Sequence, residues 1–121
     1  MTTHVLVVDD STMSRKITVR ALPENWAGEI VQLDNGADAV AACRDRSVDV
    51  MLLDLTMPGM SGFDVLEALR EIDAAPPVVV ISADAQPKAE ERARELGARG
   101  FVRKPVQPDA LAATLRDAGL L

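Results

Sequence analysis

The stretch Val5-Leu6-Val7-Val8-Asp9-Asp10-Ser11 decides how the rest of the chain is read. Four apolar residues in succession stop abruptly at two carboxylates and a hydroxyl. A strand with one wet face alternates polar and apolar residues, whereas a parallel strand covered on both faces is apolar throughout. The same construction returns in Val48–Leu53, closed by Asp54, and in Val78–Ile81, closed by Ser82. Two shorter runs, Ile30–Leu33 and Gly100–Val102, complete a set of five expected strands.

Apolar residues at helical spacing fill the intervals. Met13, Ile17 and Ala21 form one expected buried stripe, and Ala37, Val40 and Ala41 a weaker one after Asp34-Asn35-Gly36. Val65, Leu69 and Ile72, then Ala89, Ala93 and Leu96, then Leu111 and Leu115, form three more. Glu90 and Arg94 are spaced to pair across one turn on the wet side of the fourth helix. Pro23 ends the first helix, because the residue before a proline avoids the α region. Gly97 stands where a left-handed helix end belongs, and Pro108 suits a first turn. Strand and helix thus alternate five times. The expectation is an α/β fold, a (βα)5 doubly wound parallel sheet with right-handed crossovers, as one domain over residues 1–121.

Composition removes several classes of function. Thirteen basic residues against 19 acidic give a net charge of −6, which repels phosphate backbones and argues against nucleic acid as a partner. One Trp and two Phe (Trp26, Phe63, Phe101) make no stacking platform for bases. The apolar runs are far shorter than the ~20 residues that cross a bilayer, and none resembles the core of a signal peptide. A cytoplasmic protein without membrane contact is expected. Cys43 is alone and reads as a reduced, buried thiol, and Trp26 as packing at the far end of the sheet.

In open parallel sheets, ligands bind beyond the carboxyl ends of the strands. Here those ends carry Asp9 and Asp10, Asp54, Ser82, and Lys104 followed by Pro105. Singly, each has an ordinary explanation. An Asp or Ser after a strand caps the next helix, and a lysine is solvated. Together they place three carboxylates, a hydroxyl and an ammonium on one edge. Like charges about 5 Å apart repel by roughly 3 kcal/mol at an effective dielectric near 20. Such a trio raises its own pKa values or recruits a cation. An all-oxygen set suits Mg²⁺ (or Mn²⁺), and His4, the single histidine, lies at the opposite end of its strand, away from any zinc-like set. Hard-cation and phosphoryl chemistry is the reading, with an aspartate as nucleophile.

Four segments carry a resemblance to a known family. They are Val7-Val8-Asp9-Asp10-Ser11, Leu53-Asp54-Leu55-Thr56-Met57-Pro58-Gly59-Met60-Ser61-Gly62, Ile81-Ser82-Ala83 and Phe101-Val102-Arg103-Lys104-Pro105. In this order and at these separations they resemble the receiver domains of bacterial two-component response regulators, most of all the free-standing, chemotaxis-type ones. The resemblance covers the whole chain. It implies strand order 2-1-3-4-5. It also implies that Asp54 accepts a phosphoryl group from a histidine kinase or histidine phosphotransfer protein. Asp10, Asp9, Asp54 and the Thr56 backbone carbonyl are implied to hold Mg²⁺, Ser82 and Lys104 to bind the phosphoryl group, and Phe101 to be the switch aromatic. Lys104–Pro105 is expected cis. Thr56 and Asp84 occupy variable positions that border the path of the hydrolytic water, so they tune dephosphorylation. The output face is implied to be the fourth helix, fifth strand and fifth helix.

The expected function is a phosphorylation-dependent switch in chemotaxis, motility or a phosphorelay, not a conventional enzyme. It works through a separate output protein, having no output domain of its own, as a monomer that can dimerise when phosphorylated. Rival readings are a phosphate sink, a degenerate receiver and a haloacid-dehalogenase-like phosphatase. The last expects a second Asp two residues after the nucleophile, where this chain has Thr56.

Overall fold

The computed structural model describes residues 3–84 and 86–121. Ten elements alternate without exception: β1 (His4–Val8), α1 (Thr12–Ala21), β2 (Glu29–Leu33), α2 (Gly36–Asp45), β3 (Val50–Asp54), α3 (Gly62–Leu69), β4 (Val78–Ser82), α4 (Pro87–Glu95), β5 (Gly100–Arg103) and α5 (Pro108–Asp117). The strands form one parallel sheet in the order β2-β1-β3-β4-β5. Fold class and strand order are as expected.

The apolar strands serve two cores because successive side chains leave opposite faces. Leu6, Val8, Met51, Leu53, Val78 and Val80 pack beneath α2, α3 and α4. Val5, Val7, Val50, Leu52, Val79 and Ile81 pack beneath α1 and α5. Every residue of β3 and β4 is buried, including the polar Asp54 and Ser82 at their ends. The third strand starts at Val50 rather than Val48. Asp49 is drawn into the turn, where its amide donates to the His4 carbonyl and its carboxylate accepts from the His4 amide.

Two helical stripes differ from expectation. Met13 and Ile17 point outward, 65% and 39% exposed, while Ala21 is buried as expected and Thr18 joins it. On α2, Ala37 and Ala41 are exposed, and Gly36, Ala39 and Val40 face inward. In both helices the inner face takes small residues, which let the helix approach closely. On α1, hydrophobicity selects the larger Met13 and Ile17 and misses Thr18, whereas on α2 it places Val40 correctly but not Ala37 and Ala41. Val65, Leu69, Ala89, Ala93, Leu111 and Leu115 are buried as expected, while Ile72 and Leu96 fall just beyond their helices and are half-buried. Leu22, ahead of Pro23, is extended and closes α1, and Gly97 has φ +109° after α4. Trp26 is half-buried, its indole N–H donating to the Leu120 carbonyl at 2.8 Å. Cys43 is also only half-buried, and burial pushes its thiol up to about 11.

Gly62 opens α3 against the end of β3. Its amide donates to the Leu55 carbonyl at 2.9 Å. A Cβ here would run into the Asp54 carbonyl oxygen and come within 2.7 Å of Leu55 Cα, both backbone atoms with nowhere to go. Gly62→Ala is expected to cost about 2–3 kcal/mol, the upper part of the range for overpacking. Gly59→Ala, at φ +78° in open space, should cost only ~1 kcal/mol. Urea unfolding of both variants checks this ranking.

Candidate functional site

The strand ends project their first polar residues where the flanking helices no longer cover the sheet. The pairing ladder sets Val8 level with Leu33 and Leu53, Asp54 level with Ile81, and Ser82 level with Arg103. The Asp9 amide extends the ladder to the Leu33 carbonyl, and the Lys104 amide extends it to the Ser82 carbonyl. Asp9, Asp54, Ser82 and Lys104 thus share one edge by construction.

Lys104 ties the site together. Its Nζ lies 2.8 Å from Asp9 Oδ2 and 3.3 Å from Asp54 Oδ1. Both carboxylates are almost wholly buried, whereas Asp10 is exposed. Asp9, Asp10 and Asp54 can each contribute one oxygen to a set lying within 4.8 Å of one another. Asp9 Oδ1 accepts from the Ser11 amide at 2.9 Å, and Ser11, not an aspartate, caps α1 by accepting from the Ser14 amide.

Burial, then the nearby Asp9 charge, pushes Asp54 above the ordinary carboxylate range, with Lys104 and the Thr56 backbone amide pulling the other way. Burial works against the charge on Lys104, but its hydrogen bond to Asp9 and the charges of both carboxylates outweigh this and raise it. One ammonium therefore does not satisfy three carboxylates. A site made only of oxygen donors and short of positive charge fits a hard divalent cation that keeps several waters.

Ser82 is fully buried. Its Oγ accepts from the Asp84 amide at 3.0 Å, which leaves the hydroxyl hydrogen to donate, and Asp84 Oδ1 accepts from the Gln86 amide at 2.9 Å. Asp84 and Thr56 are exposed at the mouth. Phe101 is half-buried against the larger core, and the Lys104–Pro105 peptide is cis.

Two features were not read from the sequence. Arg15 folds back to donate from Nη1 to the Asp9 carbonyl at 2.6 Å and from Nη2 to Thr12 Oγ1 at 3.2 Å. A cation in the first turn of a helix opposes the helix dipole, and that was the available signal. The second is a cleft of about 350 Å³ beside Lys104 and Pro105, walled by the outward-facing Met13 and Ile17.

Ionised Asp54 opposes folding in the metal-free protein, since its pKa is raised on folding. The penalty is complete above the folded pKa and vanishes as pH falls below the unfolded value near 3.8. Asp54→Asn is expected to stabilise the protein by about 1 kcal/mol at pH 7 in a chelator, an ordinary size for one site. Thermal melts should show this advantage shrinking as pH is lowered.

Comparison with known proteins agrees with this geometry. The family model for the response regulator receiver domain matches residues 5–116. Chemotaxis protein CheY of Bacillus subtilis is 33% identical over 109 residues, covering 90% of this chain and 91% of that protein. Protein PilH of Pseudomonas aeruginosa is 35% identical over 116 residues, 93% of each. The sensory/regulatory protein RpfC of Xanthomonas campestris is 41% identical over 119 residues, and the match covers only 16% of that much longer protein. The solved structure of chemotaxis response regulator CheY4 of Vibrio cholerae superposes with TM-score 0.84 at 27% identity, covering 98% of this chain and 99% of that one. With its 2-1-3-4-5 sheet and acidic strand ends, the chain belongs to the response regulator receiver domains of two-component signalling.

Proposed function

We propose that this domain is a switch thrown by phosphorylation of Asp54, with a histidine kinase or histidine phosphotransfer protein as donor. The observation that carries this is the Lys104 bridge between buried Asp9 and Asp54, with Ser82 on the neighbouring strand end. An Asp54 oxygen attacks phosphorus, the P–N bond to the donor imidazole breaks with its electron pair returning to nitrogen, and an acyl phosphate forms. Mg²⁺, held by Asp10, Asp9, Asp54 and the Thr56 carbonyl, would supply charge neutralisation for the incoming phosphoryl oxygens. Lys104 then pairs with the phosphoryl group in place of the Asp54 carboxylate, and the Ser82 hydroxyl donates to it.

Both contacts exist only with the phosphoryl group present, so they bias the fold toward a second arrangement. Ser82 draws the turn through Asp84 and Gln86 that leads into α4. Phe101 then turns inward, and the face of α4, β5 and α5 changes for a separate output protein. Thr56 and Asp84, exposed at the mouth, set the rate at which water removes the group. The likeness to CheY and PilH favours motility or chemotaxis as the pathway, in the cytoplasm. Among the described residues no helix is long and apolar enough to cross a membrane.

Met13 and Ile17 are large apolar groups exposed at the lip of the site, lining a cleft that a docked partner would cover. The protein donor docks there.

Incubation with acetyl phosphate and Mg²⁺ should add one phosphoryl group by intact mass. Asp54→Asn should take none, and Lys104→Ala should accept label without shifting the backbone resonances of α4 to α5. A label on another residue would refute the assignment. Ile17→Glu should slow transfer from a phosphorylated histidine phosphotransfer domain about tenfold, the loss of one docking anchor, and leave labelling by acetyl phosphate unchanged. Equal slowing with both donors would place the defect in the site rather than in docking.

A further inference from the structure

The sheet is open along β2, which pairs with β1 alone. In such an edge strand, alternate residues direct their N–H and C=O groups outward. The edge is also poorly roofed, since no residue of β2 is fully buried. Ala37 and Ala41, facing out, leave the α2 side of β2 half-covered, with Val31 and Leu33 only half-buried. Two cavities of about 330 and 260 Å³ lie along this side and share Val31 and Arg46, so they form one trough. Its floor is apolar, made by Val31, Leu33, Val48 and Ala42.

The rim is acidic. Glu29, Asp38 and Asp45 line the trough against Arg46. Asp34 follows Leu33 at one end, and at the other the Asp49 carboxylate accepts from the amide of the lining His4 at 2.7 Å. All five carboxylates are exposed. None of them belongs to the acidic trio of Asp9, Asp10 and Asp54.

We infer that the β2 edge is a docking site for an extended, basic segment of a partner protein, which adds a sixth strand to the sheet. Such a strand hydrogen-bonds to the outward groups of β2. Its alternate apolar side chains fall into the trough beside Val31 and Leu33, and flanking Lys or Arg residues meet the rim. Ile30, 38% exposed on the other face of β2, offers the intervening side chains an apolar neighbour. A second copy of this chain is a poor occupant, because the same acidic rim would face itself in a protein of net charge −6. Phosphate-bearing surfaces are repelled for the same reason.

The probe is a capped heptapeptide, Lys-Val-Thr-Val-Thr-Val-Lys, titrated into the ¹⁵N-labelled full chain in millimolar Mg²⁺. Expected are saturable shifts centred on Ile30–Leu33 and on α2. A version with Glu at both ends should bind at least tenfold more weakly, and so should one with Pro at its centre, which cannot complete the ladder. Ala41→Lys, on an exposed helical position at the trough, should also weaken the parent peptide about tenfold while leaving labelling by acetyl phosphate unchanged. Shifts centred instead on Asp9, Asp10 and Asp54 would overturn the proposal. Equal binding of the Glu or Pro peptide, or an Ala41→Lys protein that binds as before with an intact spectrum, would do the same.

Discussion

One ammonium group set between two buried carboxylates governs this protein. Lys104 neutralises a single charge of three, and the remainder is held at the strand ends by the sheet itself. Such an arrangement costs stability, since desolvation and mutual repulsion both act on Asp54. What the chain gains is a buried carboxylate in a pocket that is electrostatically incomplete, the nucleophile of the proposed function. Under the proposed function, a divalent ion would offset the surplus negative charge, and a phosphoryl group would offer Lys104 a new partner. Residues held at a local energetic disadvantage by a rigid scaffold are where function is expected to concentrate.

The scaffold achieves this by register. In a strand the two faces alternate with a period of two, so a slip of one residue in β3 would exchange its two sets of core side chains and displace Asp54 from the edge. Leu52 and Leu53, buried in opposite cores, oppose any such slip. The β3 end is further clamped by Gly62, whose missing side chain lets the start of α3 lie against the Asp54 and Leu55 backbone. Position at the site is therefore set by packing on both faces of the sheet and by the close approach of α3 at the end of β3.

Much of this was legible in the sequence, for a physical reason. Parallel strands covered on both sides are apolar without interruption, and the first polar residue after each run marks its carboxyl end, so Asp9, Asp54 and Ser82 announced both the fold and the edge. The helices were less legible. The stripe Met13–Ile17–Ala21 is the more hydrophobic choice, yet α1 buries Thr18 because closeness to the sheet matters more there than side-chain size. On α2, Val40 was placed correctly but Ala37 and Ala41 were expected inside, which concealed the half-covered flank of β2. Arg15 escaped notice because its partner is a backbone carbonyl, which no side-chain pattern records.

Leu33 belongs to both regions of interest. Its carbonyl accepts the Asp9 amide that begins the acidic turn, and its side chain lines the trough beside α2. Adjacency of this kind is not coupling. A segment bound at the β2 edge shifts the phosphorylation equilibrium only to the extent that it binds the two states of the site with different affinity, and the effect must then be reciprocal. The β1–β2 ladder is continuous through Val8 and Leu33, so the backbone at Asp9 has little freedom to respond in steps. The α4–β5 side is built differently, with Ser82 linked to a turn whose amides are held by the Ser82 and Asp84 side chains. A rigid edge suits tethering a partner near the site, while the side-chain-held turn suits signalling a change of state. On the proposed reading the two surfaces divide, by their hydrogen bonding, into one suited to anchoring and one suited to moving.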